Sequence, residues 1–506
     1  LVIVNGKNMG IRSVLSKPFA AYVVKQQQKW MEKSAETQAD WRKKLVATAE
    51  HTVFGVDHKF KDVQTYEDFK QAVPVRDYEE LKPYVNQILE GESDVLWTGK
   101  PLYFAKTSGT TSGTKYIPIS NESIHNHIDS ARNAILNYVH QTGKSVFLDK
   151  KLIFLSGSPV LDTNAGIMTG RLSGISNHHI PGYLKTNQMP TYETNCIEDW
   201  EEKLERIIDE TLGQPMSLIS GIPPWVQMYF DRITERTGKK IKDVFPDFDL
   251  FIYGGVNFEP YRAKLFESIG KQVDSVELYP ASEGFLAYQD MPDRNDLLLL
   301  LNTGIFYEFI PADEYFDENP TRLSIEQVEL NKNYAVIINS NAGLWGYSIG
   351  DTVKFTSLEP YRVIVSGRIK HFISAFGEHV IGEEVEKAMK YATERHPETE
   401  VTEFTVAPMV AAKEGLPYHE WLVEFAVPPQ NPEAFARDLE SKMVELNSYY
   451  EDLITGNILR PLVVVNLCRN AFIDYMKSIG KLGGQNKVPR LANDRKIADV
   501  LGDMRG

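Results

Sequence analysis

A chain of 506 residues is too long for one ordinary core, so two to four domains or subdomains are expected. Its apolar and charged fractions are those of a soluble globular protein. Its 55 basic and 69 acidic residues leave a formal net charge of −14, which argues against nonspecific binding to nucleic acid or an anionic membrane.

No run approaches the roughly 18 apolar residues of a membrane span. Cys196 and Cys468 lie far apart without ligand-type spacing. They suit two structural thiols in a reducing cytoplasm better than a disulfide scaffold or a zinc site. The first eight residues precede Met9-Gly10, a candidate true start, and lack the charged-then-apolar order of a signal peptide.

In chain order, residues 13–44 read as helix, with apolar positions at helical spacing among Lys, Gln and Glu, and 77–91 read as another. Residues 107–115, Thr-Ser-Gly-Thr-Thr-Ser-Gly-Thr-Lys, then pack six hydroxyls, two glycines and a lysine into nine positions after an apolar run. Glycines let the backbone bring its N–H groups to an anion, and hydroxyls and Lys115 add donors and charge. A polyphosphate cradle and a polar hairpin both fit this stretch. It is not a Walker loop, because Lys115 stands between Thr114 and Tyr116.

Strand-like runs at 152–155, 250–253, 273–279, 297–301 and 334–339 alternate with helical ones at 197–210 and 260–269, which implies an α/β body with mixed sheets. The text turns strand-rich over 352–356 and 361–365. After Lys370 a compact block reads helix 383–395, strands 403–407 and 422–425, helix 432–446, strand 462–468 and helix 471–479. That is a small α+β domain joined at Gly367-Arg368, so domains over 9–366 and 367–506 are expected.

Three further segments carry candidate chemistry. At the end of the 273–279 strand, Tyr279 can lie against a purine, and Glu283 can hold a hard cation. In Gly350-Asp351 a carboxylate beside a glycine turn can accept hydrogen bonds from ribose hydroxyls. Near the C-terminus, Lys487 in a Gly-rich loop of a mobile domain can be delivered to a charged intermediate. Each also has a plainer reading: core for Tyr279, solvated loop acid for Glu283, a Gly-Asp turn for Asp351 and a basic tail for Lys487. Gly346-Tyr347-Ser348-Ile349-Gly350 matches the serine-hydrolase elbow, but a strand, not a helix, is expected after Ser348. His178-His179 are adjacent and form no metal-ligand spacing.

Taken in order, these segments resemble the adenylate-forming superfamily. The finer resemblance is to the plant auxin-responsive Gretchen Hagen family of acyl acid–amido synthetases and its microbial relatives. It rests on residues 73–81 (Val-Pro-Val-Arg-Asp-Tyr-Glu-Glu-Leu), on Leu446-Asn447 with Tyr450, Pro461-Leu462, Phe472 and Met476, and on residues 485–490 (Gln-Asn-Lys-Val-Pro-Arg). There are departures: Thr107 for Ser, Gly346 and Ser348 for arginines, and Asn486 for Tyr.

The resemblance implies a large N-terminal luciferase-like α/β domain and a small mobile α+β C-terminal domain. It implies ATP and Mg²⁺, a small-molecule carboxylic acid as substrate, and an amine or amino acid as acceptor. By carry-over, Ser108, Gly109, Thr110, Thr111 and Lys115 hold the β/γ-phosphates, Tyr279 packs on adenine, and Gly255, Val256 and Asn257 line its other side. Ala281 and Ser282 border the nucleotide, Glu283 ligates Mg²⁺, and Asp351 takes the ribose hydroxyls. Arg368 belongs to the hinge, and Lys487 neutralises charge at the α-phosphate. The acyl pocket is expected near Arg132 and in the stretch 219–226, which holds Gly221, Ile222 and Trp225. The alternatives are a ligase with coenzyme A as acceptor, a serine hydrolase based on Ser348, and a noncatalytic nucleotide-binding regulator. A cytoplasmic monomer is expected.

Overall fold

A computed structural model describes residues 2–4, 7–108, 114–255, 258–312, 314–369, 372–373, 375–378, 380–412, 415–479 and 488–505. Two helices, α1 (Ile11–Met31) and α2 (Ser34–Ala49), stand where one was expected over 13–44, because Lys33 leaves the helical conformation (φ −131°, ψ 36°). The buried face of α1 is mixed: Ser13, Ser16 and Gln27 face inward beside Ala20, Val23 and Val24, while Ile11, Leu15, Phe19 and Tyr22 are exposed. Polar bonds hold it there. Ser13 Oγ donates to the Ser145 carbonyl at 2.9 Å, and Gln27 Nε2 to Tyr288 Oη at 2.5 Å.

Helix α3 (Tyr78–Leu89) begins at a reciprocal cap between Asp77 and Glu80. Strands β1 (Tyr103–Ser108) and β2 (Thr114–Ile119) are antiparallel, with Thr107 opposite Lys115 and Ser108 opposite Thr114. Residues 109–113 lie outside the described residues. Helix α4 (Ile124–Thr142) follows, then β3 (Lys151–Phe154), β4 (Asp162–Asn164), β5 (Ile167–Gly170) and β6 (Gln188–Met189). Next come α5 (Trp200–Thr211), β7 (Met216–Ser220), α6 (Pro223–Thr237), β8 (Leu250–Gly254) and α7 (Glu259–Ile269). The body ends with β9 (Asp274–Ala281), β10 (Gly284–Tyr288), β11 (Leu297–Leu299), β12 (Ile305–Pro311), β13 (Asn333–Ser340), β14 (Tyr347–Leu358) and β15 (Tyr361–Arg368).

One eleven-stranded sheet runs β12-β13-β14-β15-β11-β10-β9-β8-β7-β3-β6, and a second runs β2-β1-β5-β4. The large sheet is parallel from β9 to β6 and antiparallel from β9 to β12. The parallel part reads as near-continuous apolar runs because helices cover both faces, as β7 and β8 illustrate. Strand β9 sits at the change of direction, so its carboxyl end adjoins both halves. Such a switch point opens a crevice for ligands in α/β sheets.

The C-terminal unit contains α8 (Gly382–Arg395), β16 (Glu400–Met409), β17 (Tyr418–Val427), α9 (Pro432–Leu446), α10 (Ser448–Thr455), β18 (Val463–Leu467) and α11 (Ala471–Ser478). Its strands form a separate sheet, β16-β17-β18. The α/β body and α+β unit agree with the expected fold class. One apolar cluster runs from Tyr229 and Phe251 of the body to Trp421 and Phe435 of this unit. Among the described residues no helix is long and apolar enough to cross a membrane.

Candidate active site

The carboxyl ends of the parallel strands converge on β9. Gly254 closes β8 opposite Leu278, and a Cβ there would lie 2.4 Å from the Leu278 carbonyl, so only glycine permits this approach. Gly255 follows at φ +81°, beside Ile222. Val256 and Asn257 lie outside the described residues. One step along β9, where the ladder with β10 shifts register, the Tyr279 hydroxyl donates to Asp351 Oδ2 at 2.7 Å. Both residues are buried, at 8% and 7% exposure.

Asp351 reaches this position because Gly350 adopts φ +81° just before it in β14. Across the ladder Asp351 faces Arg368, and Thr352 faces Gly367, so the expected hinge begins beside the expected ribose ligand. Ser108 and Arg368 are described by their backbones alone. Ala281 ends β9, and Ser282-Glu283 form the two-residue turn into β10.

Glu283 Oε1 accepts from the Tyr347 hydroxyl at 3.3 Å. Burial, with the Glu283 charge behind it, raises the Tyr347 phenol well above its ordinary range. Asp77 and Tyr78 act on the same phenol. Tyr78 in turn accepts from the Tyr116 amide at 2.8 Å, and the Lys115 ammonium lies 5.5 Å from its ring centre. Tyr78, beside Lys115 on β2, thus stands within electrostatic reach of the Tyr347 phenol that bonds Glu283.

The motif at 73–81 has a structural reason here. The Arg76 amide donates to Gly346 O and the Ser348 amide to Arg76 O, each at 2.9 Å, so the motif adds a short parallel bridge to the start of β14. Ser348 is second in the twelve-residue β14 and receives a 2.8 Å hydrogen bond from Tyr315. A strand, not a helix, follows it, so the elbow geometry is missing and the hydrolase alternative falls.

The expected acyl-side residues divide. Gly221 and Ile222 lie just past β7, with Ile222 against Gly255. Trp225 packs on Trp200 with ring centres 4.7 Å apart, as a partly buried core residue. Arg132 is not drawn into the cluster. It pairs with Asp129 at 2.8 Å, bonds Asn133, and sits 5.7 Å from the Phe19 ring of α1. Its own helix and α1 satisfy it. Gly109, Thr110, Thr111 and Lys487 lie outside the described residues.

Sequence reading missed Tyr347 and Tyr449. Tyr347 was visible only as the second residue of a false elbow. Tyr449 stands between Asn447 and Tyr450, both noted as family pattern, yet its hydroxyl donates to the Lys106 carbonyl of β1 at 2.8 Å.

Comparison with known proteins places this geometry in a family. The GH3 family N-terminal domain matches residues 23–194, the central domain 298–368 and the C-terminal domain 383–496. The chain is 23% identical over 352 residues to the jasmonoyl–L-amino acid synthetase JAR4 of Nicotiana attenuata, covering 56% of this chain and 60% of that one. It is 24% identical over 528 residues to the indole-3-acetic acid-amido synthetase GH3.3 of Arabidopsis thaliana, covering 86% and 85%. The solved structure of AtGH3.15 acyl acid amido synthetase in complex with 2,4-DB superposes with a TM-score of 0.61 at 15% identity, over 96% of each chain. With all three domains matched in order over most of its length, the chain belongs to the GH3 family.

Proposed function

We propose that the chain is an ATP-dependent acyl acid–amido synthetase. A carboxylate is a poor electrophile, so forming an amide requires converting one of its oxygens into a leaving group. The acid oxygen attacks the α-phosphate of ATP, giving acyl-adenylate and pyrophosphate. An amine, as in an amino acid, then attacks the acyl carbon and releases AMP. The observation that carries this reading is the buried Tyr279–Asp351 bond at the sheet's switch point, one turn from Glu283.

In this reading Tyr279 flanks adenine, with Gly255, Val256 and Asn257 on the other side. Asp351, oriented by the Tyr279 hydroxyl, accepts from the ribose hydroxyls. Ser108, Gly109, Thr110, Thr111 and Lys115 hold the β/γ-phosphates, and Ala281 and Ser282 line the nucleotide through their backbone. Residues 9–366 and 367–506 are the two domains, Arg368 lies at their hinge, and Lys487 neutralises charge at the α-phosphate. The acid lies along 219–226. Arg132 receives no role.

Magnesium fits Glu283. This carboxylate spends one acceptor site on Tyr347, and Mg²⁺ is commonly held by one or two carboxylates plus substrate phosphates. When bound, the ion neutralises phosphate charge. No group of three or more His, Cys, Asp or Glu able to hold a metal occurs among the described residues, so no all-protein cage is proposed. Cys196 and Cys468 are free thiols, which suits a cytoplasmic enzyme, and every role assigned above falls on one chain, which suits a monomer.

Acid-dependent exchange of pyrophosphate into ATP, screened across aryl, indolyl and fatty acids, tests the first half. No exchange with any acid would sink it. Supplying an activated acid with mixed amino acids or with coenzyme A, and identifying the conjugate by mass spectrometry, tests the acceptor. A thioester product would replace the amine.

A further inference from the structure

We propose that Tyr449 is a positioning residue that ties the placement of the C-terminal unit to the grip of β1 and β2 on the polyphosphate, with Arg171 and Asp452 as its clasp. The proposal rests on the adenylation reading above and adds a coupling to it.

Strand β1 leads into the Gly-rich stretch, and its parallel ladder with β5 ends at Ala105 opposite Gly170. Past that point the chain leaves β5 through Arg171, and Tyr449 of α10 approaches β1 there. The Tyr449 hydroxyl donates to the carbonyl of Lys106, the next residue of β1, at 2.8 Å and across 343 residues of sequence. The Arg171 guanidinium lies 5.0 Å from the Tyr449 ring centre and forms an ion pair with Asp452. Tyr449 and Asp452 are three residues apart, so one face of α10 presents both.

The position of the hydroxyl gives the contact its consequence. Burial raises the Tyr449 phenol, opposed by Arg171 and by a hydrogen bond with the Thr107 side chain, while Glu283 adds to the rise. Tyr449 therefore bonds the last two residues before Ser108 and stands within electrostatic reach of the proposed magnesium carboxylate. Binding phosphate at the ends of β1 and β2 costs those strand ends conformational freedom. Fixing the strand at its entrance lowers that cost while the C-terminal unit is docked. Without this contact the strand end is held less firmly and pyrophosphate binds less tightly. The clasp acts on the polyphosphate half-reaction alone.

Tyr449→Phe removes the hydroxyl and keeps the ring, and Asp452→Asn weakens the ion pair at an exposed position. Each is measured by pyrophosphate KM in acid-dependent exchange and by single-turnover conversion of preformed acyl-adenylate with an amino acid. Tyr449→Phe is expected to raise the pyrophosphate KM roughly threefold to tenfold, the scale of one hydrogen bond, and to leave the amine step within about twofold. Asp452→Asn should move the same constant the same way, and the double variant should fall short of the product of the singles. Equal losses in both half-reactions would mark a merely structural role and overturn the coupling. So would an unmoved pyrophosphate KM. No exchange in the unaltered chain with any acid would overturn the adenylation reading as well, so the two failures are distinguishable.

Discussion

The Tyr279 hydroxyl and the Asp351 carboxylate meet at 2.7 Å across 72 residues of sequence, joining the end of the parallel half of the sheet to its antiparallel half. The bond orients the carboxylate at the place where the proposed ribose diol would lie. Asp351→Ala is therefore expected to raise the KM for ATP, with kcat changed much less; a loss confined to kcat would contradict the ribose role. Tyr279→Phe keeps the ring and removes the tether. Its rise in ATP KM should be smaller, about threefold to tenfold, the scale of one hydrogen bond.

Lys487 is expected to act on charge that develops in the transition state, not on the bound nucleotide. Lys487→Ala should leave ATP affinity, read by equilibrium binding, largely intact and lower adenylation about 10²-fold or more. Unchanged acid-dependent pyrophosphate exchange in that variant would remove Lys487 from the mechanism.

The candidate residues Tyr279 and Asp351 could be picked out in sequence because they stand where local chemistry changes. Tyr279 and Asp351 each lie beside a glycine or proline that interrupts a strand, and such punctuation is visible in sequence. Their partnership with each other was not visible, because register between distant strands is a tertiary fact. The same holds for Tyr449, whose target carbonyl belongs to the backbone of Lys106 and leaves no side-chain signature. Helix α1 fails differently. Its inward serines and Gln27 are held by hydrogen bonds to Ser145 and Tyr288 and share the buried face with Ala20, Val23 and Val24, so the spacing of apolar residues alone does not mark that face. Arg132 looked like an anion ligand only until Asp129, three residues before it on the same helix, supplied its partner.

His127 makes the chain acid-labile. Burial pushes its imidazole down to about 4 from an ordinary 6.5, and Nδ1 has no hydrogen-bond partner. The unfolded chain thus binds a proton between these values that the folded chain refuses. The contribution to stability is complete above about pH 6.5 and is lost as pH falls toward 4, by about 3 kcal/mol in total. Urea titrations of the unaltered chain and of His127→Gln should converge in slope above pH 7 and diverge between 6.5 and 4, with the variant flatter. Parallel curves throughout that window would show that His127 is already protonated in the fold.

Arg362 is the second residue of β15, the strand that ends opposite Asp351, and it is buried at 4% exposure. Its guanidinium holds Asp290 through two bonds of 2.6 and 2.8 Å and reaches Asp296 at 3.4 Å. The two acids are not equivalent. Asp296 also receives two bonds from Arg294 and one from Thr356, whereas Asp290 makes its hydrogen bonds to Arg362 alone among the described residues. Removing Arg362 therefore strands a buried carboxylate, while removing Asp290 leaves the guanidinium still facing Asp296. Arg362→Ala should cost about 3–5 kcal/mol, the scale of an orphaned buried charge, and Asp290→Ala distinctly less. The double change Arg362→Met with Asp290→Leu keeps volume and removes both charges, so it should recover part of the loss. Equal costs for the two single variants would mean that water reaches Asp290 and that the pair does not anchor the strand on which Asp351's partner is carried.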